Sequence, residues 1–120
     1  MFEARAVGIL DDATFAAFVH SVLADPRYSS ATMDLFDALA VTKVGLTGSG
    51  LRSMAELIKG APTATRRVAI VAPPGAVFGM ARMYELLRAD IPVSVFHDRA
   101  EALAWLRQGE GAAAKAPPHP

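Results

Sequence analysis

The chain has 120 residues, with twelve Lys plus Arg against twelve Asp plus Glu, 52% hydrophobic residues and no cysteine. That length suits one domain with a core of ordinary size, and the missing cysteines exclude a disulfide scaffold, a Cys-ligated zinc site and a thiol nucleophile. Zero formal charge without a long basic run speaks against a nucleic-acid or anionic-membrane binder. No apolar segment reaches membrane-spanning length and no signal-peptide pattern follows MFEARAVGIL, so a cytoplasmic protein is expected.

The apolar run at residues 4–10 (ARAVGIL) reads as a strand that stops at two aspartates. Phe15, Phe18, Val19, Val22 and Leu23 then recur at helical spacing over residues 12–24, with Asp11 or Asp12 as the N-cap and Pro26 as the stop. Residues 31–36 (ATMDLF) are expected to form a second strand, followed by a loop over 37–50. A helix with the stripe Leu51, Met54, Ala55 and Ile58 comes next and ends at Gly60 and Pro62.

Residues 67–72 (RVAIVA) form a continuous run rich in β-branched residues and suit a central strand buried on both faces. Arg66 and Arg67 before it read as a solvated edge. A helix over 76–89 is expected to bury Met80, Met83, Tyr84 and Leu87 on one face, with Phe78 on roughly the opposite side. A strand at 92–96 (PVSVF) leads to Asp98, the expected cap of a last helix over 99–107. The alternation predicts an α/β domain over residues 1–108, with a mostly parallel sheet of about four strands alternating with four helices. The Gly-, Ala- and Pro-rich stretch 109–120 reads as a disordered tail.

Polar residues at the carboxyl ends of such strands are the candidates for chemistry. The turn GLTGSG precedes a helix, so outward N–H groups could hold an anion, but it matches neither a P-loop nor a dinucleotide fingerprint; a turn capped by Thr47 or Ser49 is the simpler reading. Ser49 with His97 and Asp98 would make a hydrolase triad only if Ser49 Oγ lies within hydrogen-bond reach of His97, and Ser49 sits in no G-x-S-x-G elbow. His20, His97 and His119 share no metal-ligand spacing, and Asp34 and Asp37, three apart along a strand and its exit, would face opposite sides. No cofactor and no metal are expected. Met80 and Met83, soft and polarizable, suit an adaptable apolar pocket.

Over residues 67–106 the chain resembles the SpoIIAA-like, or STAS/SEC14, family of small bacterial proteins. The resemblance rests on a strand ending in VAP, then FGMARMYE on a helix, then VFHD and EALAWL; GILDDATF, ADPRY and MDLFD match more loosely upstream. It implies a STAS/SpoIIAA-like fold without a catalytic centre, hence a protein that is not an enzyme. The domain would present Thr47, Ser49, Gly50, Phe78 and His97 to a protein partner; alternatively, as in SEC14-like domains, it would bind a small apolar or lipid ligand beside Phe78, Met80 and Met83. The related anti-sigma-factor antagonists carry a D-S-S-G-L type motif with a phosphorylated Ser; here Thr47 stands at the acidic position and Gly48 at the phosphoacceptor, with Ser49 one place on. The family's opening hairpin is shortened to one strand, and the edge this leaves predicts a homodimer.

Overall fold

The computed structural model describes residues 1–65 and 67–115. In chain order the elements are β1 (Phe2–Asp11), α1 (Asp12–Ala24), α2 (Pro26–Ser30), β2 (Met33–Gly45), α3 (Gly48–Gly60), β3 (Arg67–Val71), α4 (Ala76–Leu87), β4 (Val93–Phe96) and α5 (Arg99–Lys115). The four strands form one all-parallel sheet in the order β1-β2-β3-β4. This is the expected α/β domain, with one short helix more than the alternation predicted.

Local chemistry sets the element ends. Asp11 caps α1: its carboxylate accepts from Thr14 N–H (2.9 Å) while the Thr14 hydroxyl accepts from Asp11 N–H (2.8 Å), a reciprocal box that satisfies two orphan donors. Pro26 ends α1 as expected and also starts α2, where a proline at the first turn loses nothing. Gly75, at φ +101°, supplies the backbone turn into α4 that a residue with a Cβ resists.

Helices α1, α3 and α4 share one face of the sheet around Leu10, Val19, Leu51, Val68, Ile70 and Val77. Among the described residues the other face is covered by α5 alone, through Ala102 and Leu106 against Leu35, Ala69 and Val71. Arg67 is not a solvated edge residue: its guanidinium lies 3.8 Å from the Trp105 ring centroid and donates to the Trp105 carbonyl at 2.7 Å. Arg66 lies outside the described residues.

Three expectations are corrected. The second strand does not stop at Phe36; it runs to Gly45, so the loop expected over 37–50 shrinks to Leu46 and Thr47. The extension pairs only with β1, and two register shifts give β2 an extra residue in each, which breaks the period-two pattern that marks a strand. On α4 the buried stripe is Val77, Ala81 and Tyr84, whereas Met83 is 51% exposed; Val77 and Ala81 take the core-facing positions, which leaves Met83 on the outer flank of the helix. Helix α5 does not end at Arg107; it runs on to Lys115. Residues 116–120 lie outside the described residues.

Candidate functional site

Ligands of open parallel sheets sit where the strand order reverses and neighbouring loops part. The order β1-β2-β3-β4 never reverses. The carboxyl edge therefore lacks the crevice of a reversal point, and a groove on that side lies between two helices of the same face.

At the start of α3, Thr47 is the N-cap, its hydroxyl oxygen accepting from Gly50 N–H at 3.0 Å. Asp12, the first residue of α1, reaches across to it. One carboxylate oxygen accepts from Thr47 N–H at 2.8 Å and the other from the Thr47 hydroxyl at 2.7 Å. A Cβ on Gly50 would fall on that carboxylate, so glycine is what permits the approach. The place that an anion would take at a helix N-terminus is thus held by the chain's own carboxylate. Ser49 is exposed, and its hydroxyl lies 3.3 Å from that of Thr47.

Beside this cap an open groove of ≈ 320 Å³ runs between α3 and α4. Val44, Leu46, Thr47, Gly48 and Leu51 form one side, and Ala76, Gly79, Met80 and Met83 the other. It continues into a shallower hollow of ≈ 210 Å³ lined by Gly48, Arg52, Met83, Leu86 and Leu87. Nothing lies within 4 Å of where a Cβ on Gly48 or Gly79 would stand, which keeps the floor open. Leu86 is 75% exposed at the rim. Of the sequence candidates, Thr47, Met80 and Met83 line this groove, while Ser49 and Gly50 belong to the adjoining cap.

Phe78 and His97 line neither hollow. They stack on each other with ring centroids 4.2 Å apart and planes inclined by 26°, and His97 Nδ1 lies 3.2 Å from the Ala72 carbonyl oxygen. Phe78 is half-buried against the core. Ser49 and His97 make no hydrogen bond to each other among the described residues, and Asp98 caps α5 by accepting from Ala100 N–H at 2.7 Å. The triad is not assembled. No group of three or more His, Asp or Glu among the described residues could hold a metal ion, and His119 lies outside them.

Sequence reading missed a buried polar cluster at the amino end of the sheet. Asp34 is 1% exposed; one carboxylate oxygen accepts from the Thr65 hydroxyl at 2.9 Å and the other has no partner among the described residues. Burial pushes its pKa up to about 6, against the pull of Thr65 and Arg88. Arg88 is itself buried, donating to the Tyr84 phenol at 2.8 Å and to both Asp90 oxygens at 3.0 and 3.1 Å. Burial opposes the Arg88 charge, and these hydrogen bonds outweigh it and raise its pKa. The only signal in the sequence was an aspartate inside an otherwise apolar strand.

The fold belongs to the α/β class with helices on both faces of a parallel sheet, and it is SpoIIAA-like. Among solved structures the chain is similar to an uncharacterized protein of the DUF3478 family with a SpoIIAA-like fold from Shewanella loihica PV-4, at a TM-score of 0.54 and 20% identity over 87% of this chain and 82% of that one. No protein-family model and no curated protein matches the sequence. No helix among the described residues is long and apolar enough to cross a membrane.

Proposed function

We propose that the chain is a non-enzymatic, STAS-like regulatory domain of the bacterial cytoplasm that binds a protein partner through the α3–α4 groove and the adjoining cap at Thr47, Ser49 and Gly50. The observation that carries this reading is the exposure of Met83 and Leu86 along an open apolar groove beside a rigid, capped helix start. Exposed apolar rims of this kind mark interaction sites, and methionines adapt to a partner's shape. The SpoIIAA-like fold supports it.

A second reading, a small apolar or lipid ligand, has its own support in the groove's volume, ≈ 320 Å³ with Met80 and Met83 in its wall, at the lower end of ligand-site sizes of roughly 300–1,000 Å³. One experiment separates the two. A photo-crosslinking residue at Met83, in the native host, should trap a protein, and Leu86→Glu should abolish the adduct. Native mass spectrometry of the purified chain that instead detects a bound acyl mass, with no protein adduct, replaces the first reading by the second.

A further inference from the structure

Strand β1 is the open edge of the sheet, paired with β2 on one side only. Along its other side run two grooves, ≈ 310 Å³ and ≈ 270 Å³, walled by β1 and α1; no residue of β2 lines either, which places both at the outer edge. The α1 residues beside them include Ala17 and Ser21, small and exposed, so a neighbouring strand has room to approach. The backbone groups there are a template for a further strand.

Alternation along β1 sorts its side chains. Phe2, Ala4, Ala6 and Leu10 pack under α1, whereas Glu3, Arg5, Val7 and Ile9 turn to the opposite face. On that face Arg99 of α5 pairs with Glu3, but Val7 and Ile9 are 69% and 54% exposed, and Arg5 makes no ion pair among the described residues. A second copy added by a two-fold axis must run antiparallel to β1. An axis through a residue keeps each face aligned with its own kind; an axis between residues sets apolar positions against the wrong face.

Two such registers set opposite charges face to face: an axis at Ala4 sets Glu3 against Arg5 in both directions but puts Val7 against Met1 and leaves Ile9 without a partner, whereas an axis at Gly8 covers both exposed apolar side chains. With the axis at Gly8, Val7 faces Ile9 of the other copy, Ile9 faces Val7, and Arg5 faces Asp11 at both ends, while Ala6 meets Leu10 on the helix side. An axis at Ala6 sets Arg5 against Val7 and Glu3 against Ile9. One at Val7 sets Glu3 against Asp11, and one at Ile9 sets Asp11 against Val7. Opposite β-branched pairs and opposite charges stabilise a strand pair, whereas like charges oppose it. Gly8 has nothing within 4 Å of a Cβ position and presents no side chain on the axis, where it would meet its own copy. We infer that the chain forms a two-fold homodimer in which β1 pairs antiparallel with β1 of a second copy about Gly8, joining two four-stranded sheets into one of eight. This interface is separate from the α3–α4 groove, so it stands or falls independently of the proposed function.

Sedimentation equilibrium of the full chain tests it. The expected mass is twice that of the monomer, and Arg5→Glu and Val7→Asp should each raise the dimer dissociation constant about tenfold or more, since each change acts twice in a symmetric interface. Both positions are exposed, and circular dichroism checks that the fold is kept. The register has its own test because the chain has no cysteine. Val7→Cys mixed with Ile9→Cys should cross-link on mild oxidation, whereas Val7→Cys alone should not. A monomer at every concentration reached, or a dimer indifferent to both substitutions and lacking the mixed cross-link, overturns the inference.

Discussion

The Thr47 hydroxyl donates to the Asp12 carboxylate at 2.7 Å, and this bond joins the first residue of α1 to the cap of α3, 35 positions later. The carboxylate is held by two donors of Thr47 and cannot step aside without losing them. Gly50→Ala, which puts a Cβ onto it, should therefore cost about 1–2 kcal/mol. With Asp12→Ala already present, the same change should be neutral or stabilising, because alanine suits a helix better than glycine. Urea denaturation of the two single variants and the double gives the coupling directly; additive effects contradict the contact.

Asp34 makes stability depend on pH. Its folded pKa, about 6, lies above the ordinary 3.8, so between those values the folded chain holds a proton that the unfolded chain has released. Stability from this group is fully present below about pH 4 and is lost as pH rises to about 6, a change of order 3 kcal/mol at most. Asp34→Asn, which keeps an acceptor for Thr65 without the charge, should remove that slope and leave the variant more stable at pH 7. Thermal melts from pH 4 to pH 8 check the sign.

Arg88 bridges the buried Tyr84 phenol and the partly solvated Asp90 carboxylate. Arg88→Leu should cost about 3 kcal/mol, because it strands the Tyr84 phenol in the interior and removes the partner that holds the Asp90 carboxyl below its usual range. Arg88→Lys should recover only part, since an ammonium cannot reproduce the planar fork on both Asp90 oxygens. Asp90→Asn should cost under about 1 kcal/mol, as this carboxylate is partly solvated.

Gly79 lies inside α4 with open space where a Cβ would go. Gly79→Ala should stabilise the chain by about 0.5–1 kcal/mol. It should also narrow the groove beside Met80 and Met83. A gain in melting temperature together with weaker crosslinking from Met83 is the expected pair of results; a gain with undiminished crosslinking would place the partner elsewhere.

Much of this architecture was legible from local pattern. The run at Val68 to Val71 announces a central strand because it is buried from both sides, and Asp11 and Asp98 cap the helices they precede. The overhang of β2 was hidden for a physical reason: its two register shifts and the exposed Thr42 and Lys43 break the alternation, and only the partner strand shows that it is paired. In the candidate site, Thr47, Met80 and Met83 are brought to one groove. Phe78 and His97 pair with each other instead, because the sheet lacks the reversal that would draw its loop ends together. Asp12 and Arg88 stayed invisible, since their work depends on where remote elements bring them.

The unbroken strand order also shapes how the chain acquires its structure during synthesis. Each new strand joins the edge left by the one before it, so the sheet can grow from β1 to β4 without waiting for a later segment to slot into its middle. The side bearing Leu35, Ala69 and Val71 has no cover until Ala102 and Leu106 follow. A nascent chain paused before Arg99 thus offers a bare, sticky sheet to whatever is nearby, and α5 is the segment that ends this exposure.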